Sequence, residues 1–347
     1  MFSMMTFVNN SSADPLDVDG FYYYKNKNGT CLLPINFVAV MISYASIYSA
    51  LFIASLAGNS LLIVASLKSN ITINLLIANI AVSDLLFSIV HFPREIVVQV
   101  KGSTAFVVHG WIGLILCKTC AFVADVSVAV STLSLVLITA DRLGAVVFPR
   151  EYRRITVKKR RLLILCTWIV AMAIHSPYFY TFRLDAKDGE TFCVTNWEPA
   201  FNHESTHTRY YTALLVTVLI VPLVTVCILQ TVIMVKLRDD KMVSFRTSTT
   251  NQRHKRRNRM LLKMSIAISL AFVWCWLPFI TLQFLYLYFP SSIPDCSLGF
   301  EIFSQFAILF SLCHCIVNPC ICFTFIRRIR RSLKKRAPLI RKQIYSI

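Results

Sequence analysis

Charge is what this chain has least of. Asp, Glu, Lys and Arg together make up 15% of 347 residues, where a soluble domain carries about 25%. That composition excludes an ordinary soluble enzyme or binding module. Internal repeats are lacking too, and with them the usual sequence mark of a secondary transporter. Met1–Val8 has neither a basic segment nor a small-residue cleavage site. No cleaved signal peptide is therefore expected, and the first apolar stretch is read as its own signal anchor.

What the chain has in quantity is long apolar sequence. Hydrophobic residues reach 56% and the mean hydropathy is +0.61. Seven stretches are each long enough to cross a bilayer: Phe37–Leu67, Ile73–Val98, Ile112–Val147, Leu162–Phe182, Tyr210–Leu237, Leu261–Leu287 and Phe300–Phe323. About 20 apolar residues rising 1.5 Å each span the hydrocarbon core. In lipid every backbone polar group must be satisfied internally, so such stretches are helices. The expected fold is all-α: a seven-helix membrane domain over 37–323, preceded by an N-terminal tail over 1–36 and followed by a short basic segment over 324–347.

The charge that is present is distributed unevenly. Of 36 Lys and Arg, eight (Lys25, Lys27, Arg94, Lys101, Lys118, Arg183, Lys187 and Arg209) lie on one set of connecting segments, and the other 28 lie on the opposite set. The positive-inside rule then places the C-terminus in the cytoplasm and, with seven spans, the N-terminus outside, in a multi-pass plasma-membrane topology. The net charge of +19 marks a cytoplasmic membrane face meeting anionic lipid rather than a nucleic-acid groove. Sequons at Asn9, Asn10 and Asn28 fall on the outer side, where glycosylation is expected. Asn70-Ile71-Thr72 falls on the inner side and is expected to stay bare.

Twelve cysteines are present. Most lie inside spans and read as small apolar fillers. Cys117 and Cys193 lie on the oxidising side and are the leading disulfide pair; Cys31 and Cys296, also outside, are a second candidate pair. Cys313-x-Cys315…Cys320-x-Cys322 has a metal-like look, but i and i+2 positions do not face one another on a helix, so no metal is expected from it.

Polar and proline positions interrupt the spans in a fixed order: Gly58-Asn59; Asn74 and Ala81-Val82-Ser83-Asp84-Leu85; Asp141-Arg142-Leu143; Trp168; Pro222; Phe272…Cys275-Trp276-Leu277-Pro278; and Asn318-Pro319. With the Cys117/Cys193 pair, this series resembles the rhodopsin-like family of G-protein-coupled receptors over about residues 37–335. A mid-membrane carboxylate is costly, so Asp84 should face inward toward Asn59, Ser131, His314 and Asn318. It reads either as a hydrogen-bond hub or, as the resemblance implies, as part of an allosteric sodium site with Ser131 and Asn318. His314 replaces the Asn common in the family. The resemblance also implies that Asp141, Arg142, Trp276, Pro278, Asn318 and Pro319 form the activation machinery that couples to a heterotrimeric G protein, with arrestin and membrane lipids as further partners. Pro222, Pro278 and Pro319 are the expected kink sites. Four positions depart from the family: Leu143, Gln230 and Cys322 where tyrosines are usual, and Asn258 where an acid is usual. Raised basal activity or unusual coupling is the expectation they carry. After Cys322, Phe325, Ile326, Ile329 and Leu333 oppose six basic residues, the pattern of an amphipathic interfacial helix. Ser244–Thr250 is the candidate regulatory phosphorylation cluster.

The ligand is narrowed by elimination. Ala124 stands where amine receptors of the family carry Asp, and Phe300–Phe323 holds no Lys for a retinal Schiff base. The outer surface is mildly acidic and rich in aromatics, which suits a cationic, aromatic peptide and matches the layout of neuropeptide receptors, although an interfacial aromatic belt would look similar. Arg94, Glu95, Asp125, Trp197, Tyr211, Trp276, Phe279 and Gln283 are the ligand-binding candidates; Arg94 and Glu95 could equally satisfy each other. A small-molecule or lipid ligand is the alternative within the family, and a transporter the alternative outside it. Neither catalytic residues nor a cofactor beyond the sodium ion is expected.

Overall fold

Long apolar segments without water to bond their backbone close into helices, and those helices must then hide whatever polar side chains they carry. The computed structural model describes residues 21–26, 29–68, 73–147, 156–187, 189–243, 249–294 and 297–325. Spans one to three are the unbroken helices Phe37–Leu67, Ile73–Lys101 and Gly110–Val147. Six spans are single stretches long and apolar enough to cross a membrane, and a bent helix pair supplies the seventh. Spans one to four pack in chain order, the third also packs on the fifth, the fifth on the sixth and the sixth on the seventh, and the seventh packs back on the first, so the bundle closes.

The burial pattern is inverted relative to a soluble protein. Large apolar side chains such as Ile53, Trp111, Leu162, Ile228 and Trp274 face outward, whereas Asn59, Ser83, Asp84, Ser131 and Asn318 are buried. This is the arrangement expected when lipid, not water, is the surrounding solvent.

Spans four to seven differ from the sequence expectation. The fourth runs Val157–His175, capped by the Thr156 side chain accepting from the Lys159 N–H, and gives way at Pro177 to one helical turn, Tyr178–Thr181. Proline lacks the N–H that would continue the ladder. The fifth begins at His203, where Asn202 caps the helix by accepting from Ser205 N–H, and contains a π-helical segment, Leu215–Ile220, before continuing as Val221–Val243. Pro222 therefore sits just below a widened turn rather than at an isolated kink. The sixth, Thr249–Tyr288, carries its basic inner end as helix and runs through Pro278 unbroken.

The seventh span consists of Leu298–Leu312 and His314–Phe325, bent by 41°. The break falls at Cys313, not at Pro319. Side chains take the carbonyls there: Ser311 Oγ donates to Ile308 O at 2.7 Å, and His314 Nδ1 lies 2.5 Å from Ser311 O. Pro319 has no N–H for the carbonyl of Cys315, four residues earlier. Asn59 on span one donates to that carbonyl at 2.8 Å, so the proline's missing bond is replaced by an interhelical one.

Outside the bundle are two antiparallel hairpins. β1 (Phe21–Asn26) pairs with β2 (Gly29–Asn36), with Tyr24 opposite Cys31 and a register irregularity between Phe21 and Tyr22. The aromatic run Phe21–Tyr24 favours strand, and the reading of 1–36 as a plain tail missed it. β3 (Phe182–Lys187) pairs with β4 (Glu190–Thr195) in the second outer loop and forms a hairpin lid. Asn9, Asn10, Asn28, Cys296 and the amphipathic helix after Phe325 lie outside the described residues, as does most of the Ser244–Thr250 cluster.

Candidate ligand pocket and signalling core

At the outer end, Cys117 and Cys193 are bonded, with Cα atoms 5.7 Å apart. Leu184 on β3 is paired with Cys193 on β4, so the bond fastens the whole hairpin to the top of span three. A second fastening joins β4 to the segment between spans two and three: Phe106 N–H donates to Thr191 O at 2.6 Å, and Ser103 Oγ to Glu190 at 3.1 Å. Beneath this lid is a cavity lined by Val90, His91, Arg94, Phe106, the disulfide, Cys120, Ala121, Ala124 and Phe182.

The expected ligand-binding residues divide into groups. Arg94 lines the cavity and pairs with Glu95 at 3.3 Å, while His91 Nε2 lies 3.8 Å from the same carboxylate oxygen. Asp125 accepts a 2.5 Å hydrogen bond from the Tyr178 hydroxyl. Its carboxylate is thereby tied to the helical turn that follows span four. Trp197 and Tyr211 are buried in an aromatic cluster centred on Tyr210, at ring separations of 5.1 and 5.5 Å.

Trp276, Phe279 and Gln283 belong to a different group, on span six. Phe272, Trp276, Phe279 and Gln283 recur at i, i+4, i+7 and i+11, one helix face, and all four are at most 1% exposed. Trp276 stacks on Phe272 at 5.6 Å and meets Phe279 edge-on at 5.6 Å. At the outer end of the stripe, neither end of the Gln283 amide makes a hydrogen bond among the described residues. At the inner end, His314 lies 5.3 Å from the Trp276 ring and 5.7 Å from Phe272. A buried polar group in the outer half of span six is thus connected to the middle of the bundle by packed rings.

The core polar residues do meet. Asp84 Oδ1 accepts from Ser131 Oγ at 2.8 Å and Oδ2 from Asn318 Nδ2 at 2.8 Å; His314 Nε2 lies 3.9 Å from Oδ1. Asn59 joins through Ser55, which contacts Ser88 at 2.6 Å; Ser88 in turn donates to the Asp84 carbonyl at 2.7 Å. Spans one, two, three and seven are stitched by this network. Ser131 Oγ, the Asp84 oxygens and the Asn59 carbonyl oxygen, which is buried and makes no hydrogen bond, are donors that suit an alkali ion. The imidazole of His314 and the thiol of Cys315 in the same shell are not.

At the inner end, Asp141 pairs with Arg142 through Oδ2, as the adjacent acid and base imply. It also pairs with Arg160 at the start of span four, whose Nε donates to Oδ1 at 2.9 Å. Arg160 was missed because a basic residue beginning an inner helix looks like any other contributor to the positive face. Asn79 was likewise unassigned; it accepts from Trp168 Nε1 at 2.9 Å and donates to Ser134 at 2.7 Å, joining spans two, three and four. Two of the positions where tyrosine is usual, Gln230 and Cys322, are buried in the interior.

Seven spans, a lid tied to the third by a disulfide, and a buried polar core define a seven-transmembrane receptor. Residues 58–321 match the family described as 7 transmembrane receptor (rhodopsin family), and the chain belongs to that family. It is 29% identical over 242 residues to the QRFP-like peptide receptor of Branchiostoma floridae, an alignment covering 67% of this chain and 62% of that receptor. It is 28% identical over 317 residues to Neuropeptide Y receptor type 1 of Xenopus laevis, covering 84% of this chain and 77% of the relative. Neuropeptide receptor 22 of Caenorhabditis elegans is 29% identical over 301 residues, covering 82% and 67%.

Proposed function

We propose that this receptor lies in the plasma membrane with its N-terminus outside, binds an extracellular peptide beneath the β3–β4 lid, and promotes nucleotide exchange on a heterotrimeric G protein without being an enzyme itself. The observation that carries the reading is the buried face Phe272–Trp276–Phe279–Gln283. A buried amide without a protein partner is destabilising by about 1–3 kcal/mol, and a ligand's own amide or guanidinium would relieve that. Peptides offer such groups in every residue. The names of the relatives, all peptide or neuropeptide receptors, support a peptide over a lipid. Binding would act by favouring one of two bundle arrangements, with span six as the moving element below Pro278.

At the cytoplasmic end, Arg142 and the basic inner part of span six would face the G protein. Arrestin and anionic lipid are further partners of the same surface. The buried Gln230 and Cys322 replace hydroxyls that would steady the active arrangement, while Asn258 replaces an acid that would steady the inactive one; raised basal signalling is the reading we favour. The deciding experiment is a neuropeptide library applied to cells expressing the chain, with G-protein dissociation as readout. Response to lipids but not to peptides would overturn the ligand assignment. A basal cAMP and calcium assay showing silence without agonist would overturn the basal-activity reading.

A further inference from the structure

We propose that Asp84, His314 and Cys315 form a three-ligand site for a borderline-soft divalent metal ion, zinc foremost, in the middle of the membrane bundle. They are the one group of three potential metal ligands found among the described residues, with one ligand atom from each lying within 4.8 Å of the others. All three residues are at most 1% exposed.

The ligand atoms converge at the start of the second half of span seven. His314 and Cys315 open the helix His314–Phe325. His314 Nε2 and Cys315 Sγ lie 3.3 Å apart, and Nε2 lies 3.9 Å from Asp84 Oδ1. Zinc bonds of about 2.0–2.3 Å in tetrahedral array set neighbouring ligand atoms about 3.3–3.6 Å apart. Of the three pairs, His314–Cys315 is already at that spacing, His314–Asp84 needs to close by roughly half an ångström, and Asp84–Cys315 lies within 4.8 Å.

The tautomer is suitable as well. His314 Nδ1 lies 2.5 Å from Ser311 O. A carbonyl oxygen only accepts, so Nδ1 carries the proton and Nε2 of the neutral ring presents its lone pair to Asp84 and Cys315. A backbone carbonyl on the far nitrogen is the support that metal-binding histidines receive in most known sites. Two acceptors, Nε2 and Oδ1, then face each other in a dry core, an arrangement that calls for a cation between them. Ser131 and Asn318 hold the carboxylate from its other sides, fixing its direction.

Charge and softness favour zinc over sodium. A dication with one carboxylate and one thiolate is neutral, which suits a site surrounded by lipid; the Cys315 thiol proton leaves for water as the metal enters. Imidazole and thiolate select zinc, whereas alkali ions take oxygen. The metal would join span two to span seven, beside the Trp276 and Phe272 rings, and so favour one arrangement of the bundle.

The test needs no agonist. Full-length receptor is solubilised and purified with zinc chloride, with sodium chloride or with chelator, and its unfolding is followed by tryptophan fluorescence. About one zinc per chain by mass spectrometry is expected, with an unfolding temperature about 4 °C above the chelator-treated sample. Both should be lost in His314→Asn and in Cys315→Ser, and retained in His203→Ala/His207→Ala, which removes the outer histidine pair. Cobalt loading should give a thiolate-to-metal absorption in the native chain and none in Cys315→Ser, a readout that decides the matter even where His314→Asn does not fold. Absence of bound zinc, zinc retained by both core variants, or a shift produced by sodium alone overturns the proposal.

Discussion

Arg160 offers a decisive test of how the inner end of the bundle is held. One buried carboxylate, Asp141, is divided between two guanidinium groups: Arg142 on Oδ2 and Arg160 on Oδ1, the latter by Nε at 2.9 Å and Nη2 at 2.8 Å. The side chains of all three are 7% exposed or less, so each bond is protected from water. The perturbation is Arg160→Met, which keeps length and apolar stem. It removes one buried cation, so the loss of the Oδ1 bonds, each about 1.5–3 kcal/mol for a charged partner, is offset in part by the desolvation cost that the guanidinium no longer incurs. The unfolding free energy should fall by no more than about 1–2 kcal/mol. Oδ1 then becomes available to Arg142, which gains about 1 kcal/mol of restraint, and basal signalling should fall about fivefold. Asp141→Asn does the opposite: two buried cations lose their anion, stability falls by about 3–5 kcal/mol, and the released Arg142 raises basal signalling. The assay is ligand-free G-protein dissociation normalised to surface expression, with unfolding of purified receptor alongside. Unchanged or increased basal signalling in Arg160→Met would refute the reasoning, because Arg160 would then not be competing with Arg142 for the carboxylate.

Other perturbations have equally definite outcomes. Gln283→Leu should raise the unfolding temperature of the unliganded receptor, by removing an unsatisfied amide worth about 1–3 kcal/mol, and lower peptide potency at least about tenfold in a dose–response assay. Tyr178→Phe takes a donor from Asp125 and should cost about 1–2 kcal/mol of stability in thermal unfolding. A Cβ on Gly58 would lie 3.0 Å from Pro319 Cγ; Gly58→Val should therefore cost about 1–3 kcal/mol by forcing spans one and seven apart, read as a lower unfolding temperature. Cys117→Ala should cost about 2–5 kcal/mol and lower surface expression, measured by antibody labelling of intact cells.

Much of this architecture is written in hydropathy. The boundaries Phe37–Leu67 of span one are those of its apolar run, because lipid leaves a helix of that length no alternative. The outer disulfide and the contacts of Asp84 with Ser131 and Asn318 also followed from sequence, since a charge or an oxidisable thiol has few tolerable places in a membrane protein. What hydropathy does not carry is the backbone's internal accounting. The break at Cys313 depends on which side chains take carbonyls, and the obvious breaker, Pro319, is accommodated by Asn59 from another span. Polar segments extending a helix beyond the bilayer, such as His203–Arg209, look like loop. The partner of Asp125 was not legible because a helix wheel gives direction but not partner, and Tyr178 lies 53 residues away. Cys315 was read as filler because a buried cysteine usually is one, although the histidine immediately before it was the available signal.

The π-helical segment Leu215–Ile220 has a consequence for how span five tolerates change in chain length. Its last turn closes from Val221 N–H to Val216 O, one residue wider than an α-turn. A π-turn holds one surplus residue without rotating the flanking helices against each other. Removing any one residue from Leu215–Ile220 should let the turn tighten to α while Tyr211 above and Gln230 below keep their facing. The same deletion in the regular part of the span would turn everything beyond it by about 100° and swing lipid-facing valines into the core. In a single-residue deletion scan of this receptor, span five should therefore show one six-residue island of survival.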